Sequence, residues 1–256
     1  MKKIILLGLI FSLVFVSTAS GQQSDSRIHP IPEKNGDYPD PAYPGIRIRV
    51  FVHEPKGESI TAQAVCTDPD SDAVVDRLNW HLPNSVTYRL NTNSVPSSVG
   101  STNLSTIATN SFAQWTNALV TSPTKPAFTE GATTKTTRSS YDGQNIIAWG
   151  RTQGSALAVT YTRYNSTTGV VVDVDTIMNL KFLWSYNGGS VTSCGDPKTY
   201  DAQNILTHEL GHWMGLNDKY TSAYIDNTMY GYGQKGEVKK DTLTSGDTSG
   251  VQVIYP

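Results

Sequence analysis

The chain has little charge, little cysteine and few long apolar runs. Asp, Glu, Lys and Arg make up 16% of its 256 residues, and the formal net charge is −2. Without a basic excess there is no electrostatic case for nucleic acid or for an anionic membrane surface as partner. The one sustained apolar run, Ile4 to Val16, is too short to span a bilayer. No internal repeat is visible, which argues against solenoids and propellers. Histidine is sparse too, with none between His81 and His208.

Met1-Lys2-Lys3, the apolar run and the following Ser-Thr-Ala-Ser-Gly have the three regions of a secretory signal, predicted over residues 1–21. No cysteine follows to carry a lipid anchor, so the mature chain is expected to be soluble, secreted and monomeric, at a charge of about −4. Export makes a single disulfide the default for the only two cysteines, Cys66 and Cys194. Residues 22–77 read as a linker or pro-segment. Pro30, Pro32, Pro39, Pro41 and Pro44 favour extended, poorly packed chain, and Ile46 to His53 alternates apolar and polar residues, as a short β element does. Asp68-Pro69-Asp70-Ser71-Asp72 could hold calcium through oxygen ligands, although it lacks the glycine and terminal glutamate of an EF-hand loop.

Residues 78–256 read as one domain. Leu104, Ile107, Ala108, Phe112, Trp115 and Leu119 recur at helical spacing after caps at Ser101 or Thr102. Asn145–Trp149, Ala156–Tyr164 and Val170–Met178 are β-branched or aromatic runs separated by turn residues, hence strands. A second helix is predicted over about 201–214, and a third after Thr244, which has capping-box spacing to Asp247. The expected architecture is α/β, a twisted mixed sheet of about five strands with three helices.

The most informative segment is His208-Glu209-Leu210-Gly211-His212-Trp213-Met214-Gly215-Leu216-Asn217-Asp218. Residues four apart on a helix lie one turn above each other, so His208 and His212 can aim at one metal ion, with Glu209 beside them as a general base rather than a ligand. Gly215 can take the left-handed conformation that ends the helix, which lets Asp218 swing back as a third ligand. Two histidines and one acid form a catalytic zinc set that keeps a fourth position open.

That segment resembles the HExxHxxGxxD variant of the metzincin zinc endopeptidases, and Asn227-Thr228-Met229-Tyr230-Gly231-Tyr232 is similar to their Met-turn, with Met229 as the apolar floor of the site. Leu243–Tyr255 is similar to the C-terminal helix of the matrixin branch, and Trp80–Leu90 to its opening strand. The resemblance implies a metzincin-like catalytic domain and a secreted endopeptidase that cleaves protein or peptide substrates with metal-activated water. It also implies an edge strand that pairs with substrate, for which Ala156–Tyr161 is the candidate. The position two residues after Met229 that carries a tyrosine in some metzincins is Gly231, so no oxyanion-stabilising group is inherited; Tyr230 and Tyr232 are candidates for lining a substrate pocket. Gly246 stands where the branch often has an acid. The sequence around Cys66 does not match the thiol-bearing pro-segment motif of the branch, which leaves thiol capping of zinc as the alternative to a disulfide. Two other functional readings remain open: a non-catalytic binding module on a metzincin scaffold, and a thermolysin-like zinc protease with Glu237 as third ligand.

Overall fold

The structure is a computed structural model that describes residues 31–57, 67–189 and 194–256. The signal segment and Cys66 lie outside the described residues; Cys194 is disulfide-bonded. In chain order the elements are β1 (Gly36–Pro39), β2 (Ile46–Pro55), β3 (Ser85–Leu90), α1 (Asn103–Asn117), β4 (Ala127–Glu130), β5 (Asn145–Gly150), β6 (Ala158–Asn165) and β7 (Val171–Asn179). There follow β8 (Trp184–Ser185), β9 (Tyr200–Asp201), α2 (Ala202–Met214), β10 (Tyr232–Gly233) and α3 (Ser245–Ile254).

The main sheet runs β1-β2-β6-β7-β5-β3-β4, with β10 added alongside β2. Strands β4, β3, β5 and β7 are parallel neighbours, whereas β6 is antiparallel to both β7 and β2. The strands expected within Trp80–Leu90, Asn145–Trp149, Ala156–Tyr164 and Val170–Met178 are β3, β5, β6 and β7, with β4 an edge strand the sequence did not mark, and the mixed sheet with three helices is as the sequence predicts. Alternation along β2 and β5 divides the apolar residues between two faces. Phe51, Ile147 and Trp149 join the helices in the larger core, while Ile48, Val50, Val52, Ile146 and Ala148 form a smaller cluster on the opposite face. Helix α2 is buried along its whole length, and burial of side chains such as Leu206 and Leu210 contributes roughly 1.5–3 kcal/mol each. Helix α1 is joined to it by Trp115 Nε1 donating to the Thr207 carbonyl at 2.9 Å and by a hydroxyl–hydroxyl hydrogen bond at 2.9 Å between Ser111 Oγ and Thr207 Oγ1, which itself donates to the Gln203 carbonyl.

Two expectations need correction. The proline-rich segment is not all unpaired linker, because Gly36–Pro39 forms an antiparallel edge strand on β2. Asp37 anchors it by accepting hydrogen bonds from Arg47 Nε at 2.9 Å and from the Tyr164 hydroxyl at 2.8 Å. The stretch Ala156–Tyr161, candidate for a substrate-pairing edge, is not a free edge in this structure: β6 is covered on one side by β7 and on the other by β2 of the N-terminal segment, in register from Ile46↔Asn165 to His53↔Ala158.

The acidic stretch before the domain is engaged by the chain itself. Asp68 accepts from Thr242 Oγ1 at 2.6 Å, and Asp70 accepts the Ser245 amide at 2.7 Å and its hydroxyl at 2.6 Å. Asp70 thus faces the N-terminus of α3, where negative charge is favoured. Neither acid belongs to a converging ligand set among the described residues. The loop 139–143 is closed by a buried cation of the chain: Arg163 donates to Asp173 at 2.7 Å, to Asp175 at 3.3 Å and to the Ser140 carbonyl at 3.2 Å. The two carboxylates in turn accept the amides of Gly143 at 2.8 Å and Ser140 at 3.1 Å.

Gly246 has a steric explanation. Its amide donates to the Ser71 carbonyl at 2.7 Å, and a Cβ there would collide with the Ala73 carbonyl oxygen. Gly246→Ala is expected to lower unfolding free energy by about 2 kcal/mol through overpacking, against under about 0.5 kcal/mol for exposed Ser249→Ala. Urea denaturation of both variants checks this, and equal midpoints would refute the steric account.

Asp241 supplies a second expectation. It is 1% exposed and neither carboxylate oxygen has a hydrogen-bond partner among the described residues. Burial, reinforced by Asp201 and Asp68, pushes its pKa from 3.8 up to about 8. A folded-state pKa above the unfolded one gives stability that is complete below pH 4 and lost as pH rises toward 8. Asp241→Asn should therefore be more stable than wild type at pH 8, on the order of 1–2 kcal/mol, with the advantage vanishing near pH 4. Chemical denaturation across that range measures it.

Candidate metal centre

Helix α2 starts and stops where local chemistry dictates. Asp201 caps its N-terminus, accepting the amides of Gln203 and Asn204 at 2.9 and 3.0 Å. Gly215 ends it at φ 100°, in the left-handed region open to glycine. The chain then reverses and brings Asp218 back against the helix.

His208 Nε2 lies 3.2 Å and His212 Nε2 3.3 Å from Asp218 Oδ1. All three atoms are buried and none has a hydrogen-bond partner among the described residues. Ligand atoms about 2.0–2.1 Å from a tetrahedral ion stand roughly 3.3 Å apart, so the spacing fits one zinc ion. The histidine tautomers fit as well. His208 Nδ1 meets the Thr228 carbonyl at 2.7 Å and His212 Nδ1 the Leu216 carbonyl at 3.0 Å. A carbonyl only accepts, so each Nδ1 carries the proton and each Nε2 offers a lone pair. Burial opposes the charge of Asp218, and a positive charge at the facing His212 and His208 Nε2 positions favours it and holds its pKa below the usual carboxylate range. The Tyr220 hydroxyl, which accepts from Asn35 at 2.8 Å, supports this carboxylate from outside.

Met229 is fully buried beneath the helix, at the point where a Cβ on Gly211 would strike its sulfur. The turn that carries it is fixed by Asp247, whose carboxylate accepts the amides of Thr228 at 2.8 Å, Met229 at 3.2 Å and Thr244 at 3.1 Å. The capping box of α3 predicted from Thr244 and Asp247 is present, and the same carboxylate holds the floor of the site.

Glu209 is fully buried. Trp213 Nε1 only donates, so Thr176 accepts from it at 2.9 Å and passes its own hydrogen to Thr160 at 2.7 Å, which donates to Glu209 Oε2 at 2.6 Å. Burial pushes the Glu209 carboxyl up to about 7. Its other oxygen meets His53 Nδ1 at 3.1 Å. His53, His208 and Glu209 form a second converging set, but there two of the groups already satisfy each other, whereas the three atoms of the first set have no other partner.

The sequence matches the family profile of matrixin (peptidase M10) over residues 79–256, more than two thirds of the chain. The chain belongs to the matrixin family. As a family, matrixins are zinc metalloendopeptidases. A comparison with curated proteins finds no match.

In this matrixin the structure brings together His208, Glu209, His212, Asp218 and Met229. Tyr230 and Tyr232 line a cavity of about 100 Å³ with Lys56, Gln234, Glu237 and Lys239, while their carbonyls face the other way, toward Lys240. Glu237 does not reach the histidines; it accepts the Gln234 amide at 2.9 Å and lies 3.7 Å from Lys239, so the thermolysin-like ligand set is not formed. The sequence reading missed His53, Thr160, Tyr220 and Lys240. Only His53 carried a signal, as the last residue of a strand-like repeat.

Asp218→Ala is expected to weaken zinc binding more than about 100-fold, whereas Glu237→Ala retains about one zinc per chain. Metal analysis after dialysis against a competing chelator decides, and the reverse order would overturn the ligand assignment.

Proposed function

We propose that this chain is a secreted zinc endopeptidase in which His208, His212 and Asp218 hold the metal and Glu209 is the general base. The observation that carries the reading is the convergence of three buried ligand atoms, both imidazole nitrogens at tetrahedral spacing from the Asp218 oxygen, with a buried carboxylate on the same helix. Zinc held there would polarise the scissile carbonyl and acidify the attacking water toward neutrality.

The protein's own groups do the rest. Glu209 takes the proton from the attacking water and returns it to the departing amine, for which a pKa near neutrality is well matched. The Trp213–Thr176–Thr160 relay keeps one Glu209 oxygen fixed, and the other, which meets His53 Nδ1 in this structure, is the one that would face the reaction once His53 leaves. Asp218 contributes a negative charge that a third histidine would not, so the site holds its ion with one unit less positive charge. The Nδ1 bonds to Thr228 and Leu216 carbonyls keep both imidazoles oriented. A buried general base so oriented is what a non-catalytic scaffold has no need of. Export, and removal of residues 1–21, belong to the same proposal, supported by the charged, apolar and small-residue pattern at the start of the sequence.

Glu209→Gln preserves size but cannot accept the proton. Peptide hydrolysis should fall at least about 1,000-fold, as expected for loss of a general base with its oriented water, while zinc content stays near one per chain. Turnover close to wild type, followed by mass spectrometry of cleaved casein, would remove Glu209 from the role.

A further inference from the structure

A groove between β6 and β10 crosses the zinc-binding residues, and β2 lies in it. One edge of β2 is antiparallel to β6, ending with the Leu157 amide donating to the His53 carbonyl at 2.7 Å. The other edge is parallel to β10, with the Glu54 amide directed to the Gly231 carbonyl at 3.4 Å and the Lys56 amide to the Gly233 carbonyl at 2.8 Å. Both backbone edges are thus paired around the point where the strand passes the metal ligands, the arrangement of an extended peptide added to a sheet. There the Phe51 ring stacks on His212 at 3.8 Å between centroids, and the His53 ring lies over His208 at 3.9 Å.

His53 fills a pocket whose floor is Lys240. This lysine is fully buried, and its ammonium has three N–H groups and no acceptor. Two of them go to the carbonyls of Tyr230 at 2.6 Å and Tyr232 at 3.0 Å, and the third points to His53 Nε2 at 3.2 Å. Nε2 is therefore the acceptor, and the proton on Nδ1 faces Glu209 Oε1 at 3.1 Å. If another peptide replaces β2, the third Lys240 donor needs an acceptor from it. An aliphatic side chain leaves a buried charged donor unpaired, which sites of this kind reject strongly. A second carboxylate in the pocket would stand against Glu209.

We propose that Lys240 is the specificity-determining residue of this cleft: a peptide lying as β2 lies is selected for an uncharged, hydrogen-bond-accepting side chain, such as Gln, Asn or His, at the position of His53, and β2 is the resident occupant. The proposal rests on the peptidase reading for its consequence in catalysis, but the binding preference stands on the geometry of the pocket.

The test uses the full chain with a site-specific protease sequence inserted between Glu58 and Cys66, so that β2 can be severed from the folded protein without cutting on the Cys194 side of the disulfide. The probes are fluorescent decapeptides of the Ile46–Pro55 sequence carrying His, Gln or Leu at the His53 position, exchanged into the severed, zinc-loaded protein. The His and Gln peptides should bind at least tenfold more tightly than the Leu peptide, and Lys240→Met should abolish the difference. For peptides that are cleaved, the ratio of kcat/KM for Gln over Leu should show the same tenfold preference. Leu binding as well as Gln to the severed wild-type protein would overturn the proposal without relying on a variant that could misfold, and so would failure of every peptide to bind. Binding with the expected preference but no cleavage of any peptide would support the pocket and refute the peptidase reading alone.

Discussion

Three buried atoms, two imidazole nitrogens each 3.2–3.3 Å from one carboxylate oxygen and all within 4.8 Å of one another, meet with no hydrogen-bond partner among the described residues. Such an arrangement costs desolvation for each group and is sustained only if other interactions hold it or an ion satisfies it. Much of the surrounding structure does the holding. Gly215 ends α2 where Asp218 can return, backbone carbonyls fix both histidine tautomers, and Met229 fills the space under Gly211, between the two histidines on the helix. Asp247 ties that floor to α3, so the last helix of the chain, far from the motif in sequence, sets the height of the Thr228 carbonyl on which His208 depends.

Whether a residue could be read from sequence depended on how local its cause is. The spacing of His208, Glu209 and His212 is a property of one helix, and Gly215 and the Thr244–Asp247 box are properties of helix ends, so all were legible without a fold. His53 and Lys240 were not, because they meet only when strand β2 is laid between β6 and β10, and nothing in a linear pattern specifies which strand neighbours which. Thr160 and Thr176 looked like ordinary β-branched strand residues; their hydroxyls acquire direction only from the donor-only indole of Trp213. The docking of Gly36–Pro39 within the proline-rich segment escaped the sequence for a related reason. Composition disfavours packing on average, yet a single carboxylate, Asp37, bonded to Arg47 and Tyr164, is enough to dock four residues on a sheet edge.

The departure from the branch pattern at Gly246 has a physical form: where the acid is absent, the chain itself occupies the space. Gly246 carries no acid because the carbonyl of Ala73 lies where its side chain would begin, and residues 71–75 are sewn to α3 and the Met229 turn through Asn227. The loop 139–143 is held by the guanidinium of Arg163 between two aspartates. Arg suits this role because its planar fork serves several acceptors at once and stays charged when buried.

The same reasoning extends to the cleft. A buried ammonium is tolerated only when each of its donors is matched, and Lys240 meets that condition by drawing on two carbonyls of the β10 segment and one ring nitrogen of β2. The two carbonyls belong to the body of the domain and remain whichever peptide is bound. The third acceptor is the only one supplied by the strand across the cleft, so the lysine's pairing and the occupancy of the cleft are one equilibrium. Glu209 is tied to it from the opposite side of the same imidazole, through Nδ1. A single side chain therefore engages both the proposed general base and the floor of the pocket, and whatever displaces it must first offer the lysine a partner before the base becomes free to act.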